Sequence, residues 1–219
     1  MVRIVEVDLP DINLPSDGIR LVIMQPHIQG HLTGEPFKWR TDSKDAQLAR
    51  IKRTLDIAKA PDFDIDRTHF TVFPECAIPG LDGIALIQNY IGLPDWPAGT
   101  IVIGGIEWLT KNEYAQLIIG SEHDELNGAG NLSDNECVNC CITWVKTNNG
   151  IKRFIQPKIS RAWVEHDIPH TRLFEGTCVY LFQAKMSNNA FRFFNLVCFD
   201  WINRPNTTQR AVSLMCSVR

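Results

Sequence analysis

The sequence lacks the features that would place it in a membrane or in the secretory pathway. An apolar stretch near the N-terminus, LVIMQPHI, is interrupted by Gln25, Pro26 and His27, whereas a membrane-spanning helix needs about 20 consecutive apolar residues. The N-terminal segment MVRIVEVDLPDINLPSDG contains no continuous apolar stretch that ends in a small-residue cleavage site. We therefore expect a soluble, cytoplasmic protein with no membrane partner.

An excess of positive charge is also lacking. The chain has 22 basic and 25 acidic side chains and a formal net charge of -3, so it offers no large positive field to neutralise phosphates. Nucleic acid is therefore not expected as a partner. With 44% hydrophobic and 21% charged residues over 219 positions, the composition is typical of a globular chain. We expect residues 1–219 to form a single domain.

The cysteines lack the partners that a zinc site requires. Residues 137–141, CVNCC, form a C-x-x-C-C cluster, but no second C-x-x-C pair supplies the remaining ligands. His166 and His170 have i, i+4 spacing, yet Pro169 between them argues against a continuous helix. Seven cysteines in a chain of this length favour reduced thiols. Neither a metal nor an organic cofactor is expected.

Apolar runs predict several strands, and one segment predicts an amphipathic helix. Within residues 45–60, Leu48, Ile51 and Leu55 recur at helical spacing, and Pro61 follows. Strands are predicted, in chain order, at residues 19–25, 66–74, 101–109, 137–146, 151–158, 179–184 and 191–199. The first of these strands is expected to be buried because it is rich in branched apolar residues. Strands that alternate with helix predict an α/β layered fold.

The connecting segments predict turns of different strength. Residues 148–150, N-N-G, are a strong hairpin signal. Residues 79–83, PGLDG, predict a turn, and residues 30–43 predict a loop. The polar, acidic stretch 111–136 is interpreted as an exposed excursion. The paired glycines at 104–105 indicate a place where another part of the backbone must approach closely.

Three residues with reactive side chains follow predicted strands. Glu75, Lys158 and Cys198 each lie at or just after the end of an apolar run, where a rigid scaffold holds side chains that remain accessible. Each residue alone has an ordinary interpretation, since free cysteine is often buried and a glutamate or lysine is most often a solvated residue. Only the order in which the three residues occur along the chain indicates a catalytic role.

That order resembles the carbon–nitrogen hydrolase superfamily of nitrilases and aliphatic amidases. The corresponding motifs here are TVFPE ending at Glu75, NNGIKRFIQPK ending at Lys158, and NLVCFD around Cys198. Further matches are the IRLVIMQ and VIGGIEW strands and Asn139 in VNCCITWV, so the resemblance spans residues from about 19 to 200. It implies an α-β-β-α sandwich, whether complete or incomplete at the C-terminus, and a homo-oligomer.

The resemblance also implies roles for individual residues. Cys198 would be the nucleophile, Glu75 the general base that takes its proton, and Lys158 the cation that stabilises developing negative charge. The backbone N–H of Phe199 would be a second donor. The family's second glutamate is assigned to Glu165, with Glu175 as the competing choice.

The implied substrate is a small-molecule amide, carbamoyl compound or nitrile. Trp163 and Trp201 lie close to the proposed active residues in sequence and are candidates for the lining of a substrate pocket. Twenty-one residues follow Cys198, fewer than the family usually has. A fragment, a compact variant completed by a partner subunit, and an inactive binding module all remain open, as does acyl transfer at the same site.

Overall fold

The protein has a mixed α/β fold. Its computed structural model describes residues 2–26, 31–32, 37–59, 67–162, 165 and 172–197. The strands are β1 (Arg3–Leu14), β2 (Leu21–Ile23), β3 (Phe70–Ile78), β4 (Thr100–Ile106), β5 (Leu109–Thr110), β6 (Glu136–Val138), β7 (Cys140–Thr147), β8 (Gly150–Pro157), β9 (Arg172–Leu173), β10 (Cys178–Met186) and β11 (Asn189–Phe194). The α-helices are α1 (Thr41–Lys59), α2 (Gly80–Gly92) and α3 (Lys111–Ile118). None of the described helices is long and apolar enough to cross a membrane.

The largest sheet has the order β2-β3-β4-β7-β8. Its first three strands are parallel to one another. Strand β7 is antiparallel to β4, and β8 is antiparallel to β7. Thr147 pairs with Gly150 at the turn between β7 and β8, so Asn148 and Asn149 form the two-residue hairpin loop that the sequence predicts. This hairpin brings the start of β7 and the end of β8 to the same edge of the sheet.

A second sheet, with the order β1-β10-β11, packs on one face of the large sheet. Phe70, Ile101 and Val145 of the large sheet share one buried cluster with Tyr180 and Phe182 of the second sheet. The alternation of side chains along each strand sends every second residue into this interface.

The three helices cover the opposite face of the large sheet. Their buried side chains, among them Leu55, Ile87 and Tyr114, form another cluster with Phe73 and Trp144. The described part of the chain thus contains a helical layer, a five-stranded sheet and a three-stranded sheet in that order. The mixed α/β class expected from the sequence is confirmed.

Several boundaries near the N-terminus differ from those predicted. The first predicted strand, 19–25, shortens to β2 at an edge of the sheet, where Leu21 and Ile23 are 54% and 62% exposed instead of buried. Helix α1 begins at Thr41 instead of at residue 45, within the segment predicted to be a loop. Polar residues in its first turn hid this start, because apolar periodicity begins only one turn later.

Strand β3 continues past Pro74, where the sequence predicts its end. Proline lacks the N–H that a central strand needs, but β2 pairs with β3 only as far as Val72. Beyond Val72, β3 has no pairing partner in β2, so the N–H that Pro74 lacks is not needed there. The predicted turn at 79–83 is instead the first turn of α2.

In its second half, residues 121–136, the segment 111–136 is largely exposed, as predicted, but its first half is not. It contains α3, whose Tyr114 and Leu117 are buried. The side chain and backbone of Thr110 form a capping box with Glu113 that starts this helix. The predicted strand 137–146 is divided into β6 and β7, and Asn139 lies between them. Strand β11 ends at Phe194, before the end predicted for the last strand.

Candidate active site

The backbone at Glu75 is a bulge in β3. Phe73 pairs with Gly104 on β4 and Ile78 pairs with Ile106, so β3 has three more residues than β4 between these two pairs. Bulges of this kind redirect side chains and are common beside active sites. Gly105 packs directly beneath the bulge, because a Cβ on this glycine would lie 2.5 Å from the Glu75 Cα. This contact is the close approach that the paired glycines predict.

Two donors hold one oxygen of the Glu75 carboxylate. Asn139 Nδ2 donates to Oε1 over 2.6 Å, and Lys158 Nζ donates to the same oxygen over 3.3 Å. No donor from the described residues reaches Oε2 of Glu75. The Glu75 side chain is 28% exposed. One carboxylate oxygen is therefore fixed while the other can accept a proton.

Lys158 follows β8 and is almost completely buried, at 1% exposure. Its backbone N–H donates to the Asn139 carbonyl over 2.8 Å, which extends the β7–β8 pairing by one step. Its carbonyl accepts from the N–H of Gly176 over 2.8 Å, and a Cβ at Gly176 would lie 2.6 Å from the Pro157 carbonyl oxygen. Backbone contacts on both sides therefore fix where the Lys158 side chain begins.

Glu165 is the second carboxylate on Lys158. Its Oε1 lies 2.7 Å from Lys158 Nζ, and its Oε2 accepts from the backbone N–H of Ala162. The side chain of Glu165 is 6% exposed. Glu175, the competing choice, is 48% exposed and lies 3.7 Å from Arg161 instead. The structure thus brings Glu165, and not Glu175, to the lysine.

The three charged groups form a compact cluster with a formal charge of -1 when both carboxylates are ionised. The Lys158 ammonium makes an ion pair with each carboxylate, 3.3 Å from Glu75 and 2.7 Å from Glu165. If Glu75 accepts a proton, the cluster becomes neutral and Lys158 still has Glu165 as its counterion. The arrangement can therefore store a proton on Glu75 without leaving a buried cation unpaired.

A cavity of about 410 Å³ opens beside Glu75. Its described lining is mostly apolar and includes Val72, Ile103, Cys141 and Leu196. Val197, the residue before Cys198, lines the same cavity. The chain leading to Val197 is held by Asn195, whose side chain donates to Thr143 Oγ1 over 2.7 Å and whose carbonyl accepts from Gln156 Nε2 over 2.9 Å. These bonds bring the chain just before the predicted nucleophile to the cavity that Glu75 lines.

Several predicted site residues lie outside the described part of the chain. They are Cys198, Phe199, Trp163 and Trp201, together with His166 and His170 of the histidine pair. Among the residues that the structure does describe, no group of three or more histidine, cysteine or acidic side chains is arranged to hold a metal ion.

The five described cysteines are buried thiols without disulfides. Burial raises the pKa of each of them above its usual value, and the pKa of Cys141, in the cavity wall, rises to about 12. A thiol with a raised pKa holds little thiolate at neutral pH and is a poor nucleophile. None of these five has the environment of an activated cysteine.

Three residues around the site make contacts that the sequence does not predict. Asn139 is part of the motifs that resemble the carbon–nitrogen hydrolases, but the sequence does not predict its hydrogen bond to Glu75. The buried carboxylate of Glu107 accepts from the backbone N–H of Trp39, and the Trp39 indole donates to the Cys76 carbonyl over 2.8 Å. The position of Glu107 after the GG pair of an apolar strand is the only sequence signal that could have suggested a structural role.

A buried lysine between two carboxylates, next to a cavity, is an arrangement suited to proton transfer and to the stabilisation of negative charge. Comparisons of the chain with models of protein families, with curated proteins and with solved structures found no match.

Proposed function

We propose that the protein is a cysteine-dependent hydrolase of a small-molecule carbon–nitrogen bond, of the carbon–nitrogen hydrolase type and with its α-β-β-α sandwich. One observation carries the proposal: the buried Lys158 contacts both Glu75 and Glu165, beside a cavity that Glu75 and Val197 both line. Cys198 follows Val197 directly. The layers of helix, sheet and sheet in the described residues support the fold part of the proposal.

The first half of the reaction forms a thioester. The Cys198 sulfur attacks the amide carbon while its proton passes to Oε2 of Glu75, the carboxylate oxygen that the described donors leave available. The carbonyl oxygen gains negative charge, which Lys158 stabilises together with the backbone N–H of Phe199. Glu75 then gives its proton to the amide nitrogen, the C–N bond breaks, and ammonia or an amine departs.

The second half releases the acid. Water attacks the thioester carbon and loses a proton to Glu75, and the C–S bond breaks. Glu75 returns the proton to the Cys198 thiolate, so the enzyme is regenerated and one water is consumed for each C–N bond cleaved. Throughout both halves Glu165 pairs with Lys158, which keeps the ammonium oriented.

The cavity favours a substrate whose acyl group carries no charge. Its described polar lining offers few free donors: Oε1 of Glu75 is bound by Asn139 and Lys158, Oε2 is a proton acceptor, and the side chain of Asn195 donates to Thr143. Cys141 remains a neutral thiol because burial raises its pKa to about 12. A carboxylate on the substrate would place a second negative charge beside Glu75, and the described lining of the cavity has no cation to pair with it. Neutral amides or nitriles that fit into a pocket of roughly a few hundred Å³ are therefore the best candidates.

The test measures turnover and thiol reactivity together. We expect Cys198→Ala to abolish hydrolysis of a panel of neutral aliphatic and aromatic amides and nitriles, while Cys216→Ala, at a cysteine with no assigned role, retains it. Iodoacetamide at neutral pH should label Cys198 ahead of the five buried thiols, whose raised pKa values keep them protonated.

Hydrolysis that survives Cys198→Ala would contradict the proposal, as would equal labelling of all seven thiols. Adding hydroxylamine to the assay separates hydrolysis from acyl transfer, since a transferase would yield mainly the hydroxamate. Folded protein that cleaves no member of the panel, and labels uniformly, would favour a binding module.

A further inference from the structure

The residue after Glu75 has an unusual backbone conformation. Cys76 has φ = +57°, in the left-handed region that residues other than glycine seldom occupy. It lies within the bulge, between the β3–β4 pairs at Phe73 and Ile78. The direction in which the Glu75 side chain leaves the backbone depends on this conformation being kept.

Side chains from outside the sheet hold the bulge in place. The Cys76 carbonyl accepts from Trp39 Nε1 over 2.8 Å, and the Ala77 carbonyl accepts from Gln47 Nε2 over 2.7 Å. Both hydrogen bonds are buried. They replace the strand partners that these carbonyls would have in a regular ladder, and a buried carbonyl without a partner is strongly disfavoured.

Trp39 is in turn held by Glu107. Its backbone N–H donates to Glu107 Oε2, and its side chain is 5% exposed. The Glu107 carboxylate is also 5% exposed, and burial raises its pKa. Its Oε1 lies against the first residue of α2, because a Cβ at Gly80 would be 2.7 Å from it. Glu107 therefore contacts Trp39 through one carboxylate oxygen and the first residue of α2 through the other. Trp39 and α2 both adjoin the bulge.

We propose that Trp39 and Glu107 are positioning residues for the general base: together they fix the Cys76 carbonyl, and with it the left-handed turn that directs Glu75 towards Lys158 and Asn139. Neither residue hydrogen bonds to the three charged groups of the site in the described part of the chain. Their effect passes through the backbone. The catalytic consequence rests on the proposed function, whereas the geometric consequence does not.

The test compares variants that lose one indole hydrogen bond each. Trp39→Phe removes the donor to Cys76 and keeps an aromatic ring. Trp96→Phe is a matched control, because Trp96 is equally buried and its Nε1 donates to Thr100 Oγ1, away from the bulge. The rate of Cys198 alkylation by iodoacetamide is followed by mass spectrometry across pH. We expect Trp39→Phe to raise the pH midpoint by roughly one unit, because a misplaced Glu75 no longer takes the thiol proton and the thiolate must form without a base, and Trp96→Phe to leave it unchanged.

A second pair of variants separates positioning from a general loss of stability. Glycine adopts the left-handed conformation without strain, so in the Cys76→Gly background the effect of Trp39→Phe should shrink. Two independent losses of stability would add instead. Glu107→Gln keeps an oxygen for the Trp39 N–H and should stay near wild type, while Glu107→Ala should behave like Trp39→Phe. Equal shifts for Trp39→Phe and Trp96→Phe, or no shift for a folded Trp39→Phe protein, would overturn the proposal.

A structural measurement decides the matter even if Cys198 proves unreactive in the wild type. That outcome would count against the proposed function, and crystal structures of the variants would then test the positioning alone. In Trp39→Phe the Glu75 Oε1 to Asn139 Nδ2 contact, 2.6 Å in the wild type, should lengthen beyond hydrogen-bonding distance. A contact retained in that structure, with φ of residue 76 unchanged, would overturn the inference.

Discussion

Lys158 is a buried charge whose stability depends on its neighbours. At 1% exposure it has lost nearly all its hydration, and Glu75 and Glu165 replace that hydration with ionic contacts. Removing one partner of a buried ion pair typically costs more than the pair contributes, because the remaining charge is left uncompensated. The site is therefore a stability determinant of the protein as well as its proposed reaction centre.

Lys158→Met should lower the free energy of unfolding by about 3–5 kcal/mol, because two carboxylates are left without their cation. Lys111→Met is the control: Lys111 pairs with Asp134, which is 97% exposed, and the expected loss is much smaller because water screens an exposed pair. Urea unfolding followed by circular dichroism measures both. Adding Glu165→Gln to Lys158→Met should recover part of the loss, and a further drop would contradict this account.

Glu165 and Glu175 offer a matched comparison, since both are glutamates close to the lysine in sequence. Glu165→Gln should reduce kcat by about 100-fold, because Lys158 loses the charge that orients it and misplacement by about 1 Å is enough for such a loss. Glu175→Gln should have little effect, as Glu175 is half exposed and contacts Arg161. Steady-state kinetics on a cleaved amide decides between them. Equal losses would argue that the pairing with Lys158 is irrelevant to turnover.

Among the secondary-structure elements, β4 has a specific part in shaping the site. Its Gly105 lets the backbone of β4 lie directly against Glu75 and Pro74. Most residues of a strand can be exchanged without moving a neighbouring backbone, but at this position any side chain would displace the bulge. Strand β4 can lie against the bulge only because residue 105 has no side chain.

Gly105→Ala should therefore destabilise the protein by about 1–3 kcal/mol, the usual range for overpacking, and should also lower kcat. Its added methyl would lie 2.5–2.9 Å from backbone atoms of Pro74 and Glu75. Gly130→Ala is the control, since a Cβ there meets nothing within 4 Å. Thermal unfolding and kinetics on both variants test the prediction. A Gly105→Ala protein as stable and active as the Gly130→Ala variant would show that the bulge tolerates displacement.

The elements also show what a sequence can and cannot reveal. The hairpin at 148–150 was predicted correctly because its signal is local, in the turn residues themselves. Helices α2 and α3 were missed: α2 begins with PGLDG, which is typical of a turn, and α3 lies in a polar stretch where Tyr114 and Leu117 are buried by distant parts of the chain. Burial by tertiary contacts overrides local preference in both cases.

The candidate site, too, could be predicted only in part from the sequence. The order of the motifs predicted Glu75 and Lys158 as partners, and spacing favoured Glu165. The contacts through Trp39 and Glu107 join residues 37 and 68 positions apart, and no periodicity or motif relates them. A sequence can therefore identify the charged groups of such a site more readily than the neutral scaffold that directs them.

At the scale of the whole molecule, an aromatic core joins the large sheet to the second sheet, β1-β10-β11. Phe182 of β10 is fully buried, and its ring lies 5.1 Å from Phe154 of β8 and 4.9 Å from Phe193 of β11. Gln156 adds a polar connection, since its Oε1 accepts from the Tyr180 N–H and its Nε2 donates to the Asn195 carbonyl. The position of Val197 beside Glu75 depends on this interface.

Phe182→Ala should cost about 3–5 kcal/mol of unfolding free energy, as expected for removing a buried phenylalanine. Phe191→Ala is the comparison, because Phe191 packs against the same cluster but is only partly buried, and its loss should be smaller. Denaturant titration at fixed protein concentration measures both. A cost for Phe191→Ala equal to that for Phe182→Ala would show that the interface extends evenly to its margin.

The β7–β8 hairpin has a consequence for the order in which the site assembles. It joins residues adjacent in sequence, so Asn139 and Lys158 can meet on the microsecond timescale typical of hairpins. Glu75 reaches them only after a contact between residues 83 positions apart, which requires the slower pairing of parallel strands. Until then the Lys158 ammonium must remain hydrated, and it can be buried only when its carboxylate partners arrive. The same charges proposed for hydrolysis thus make the burial of Lys158 during folding conditional on a correctly formed site.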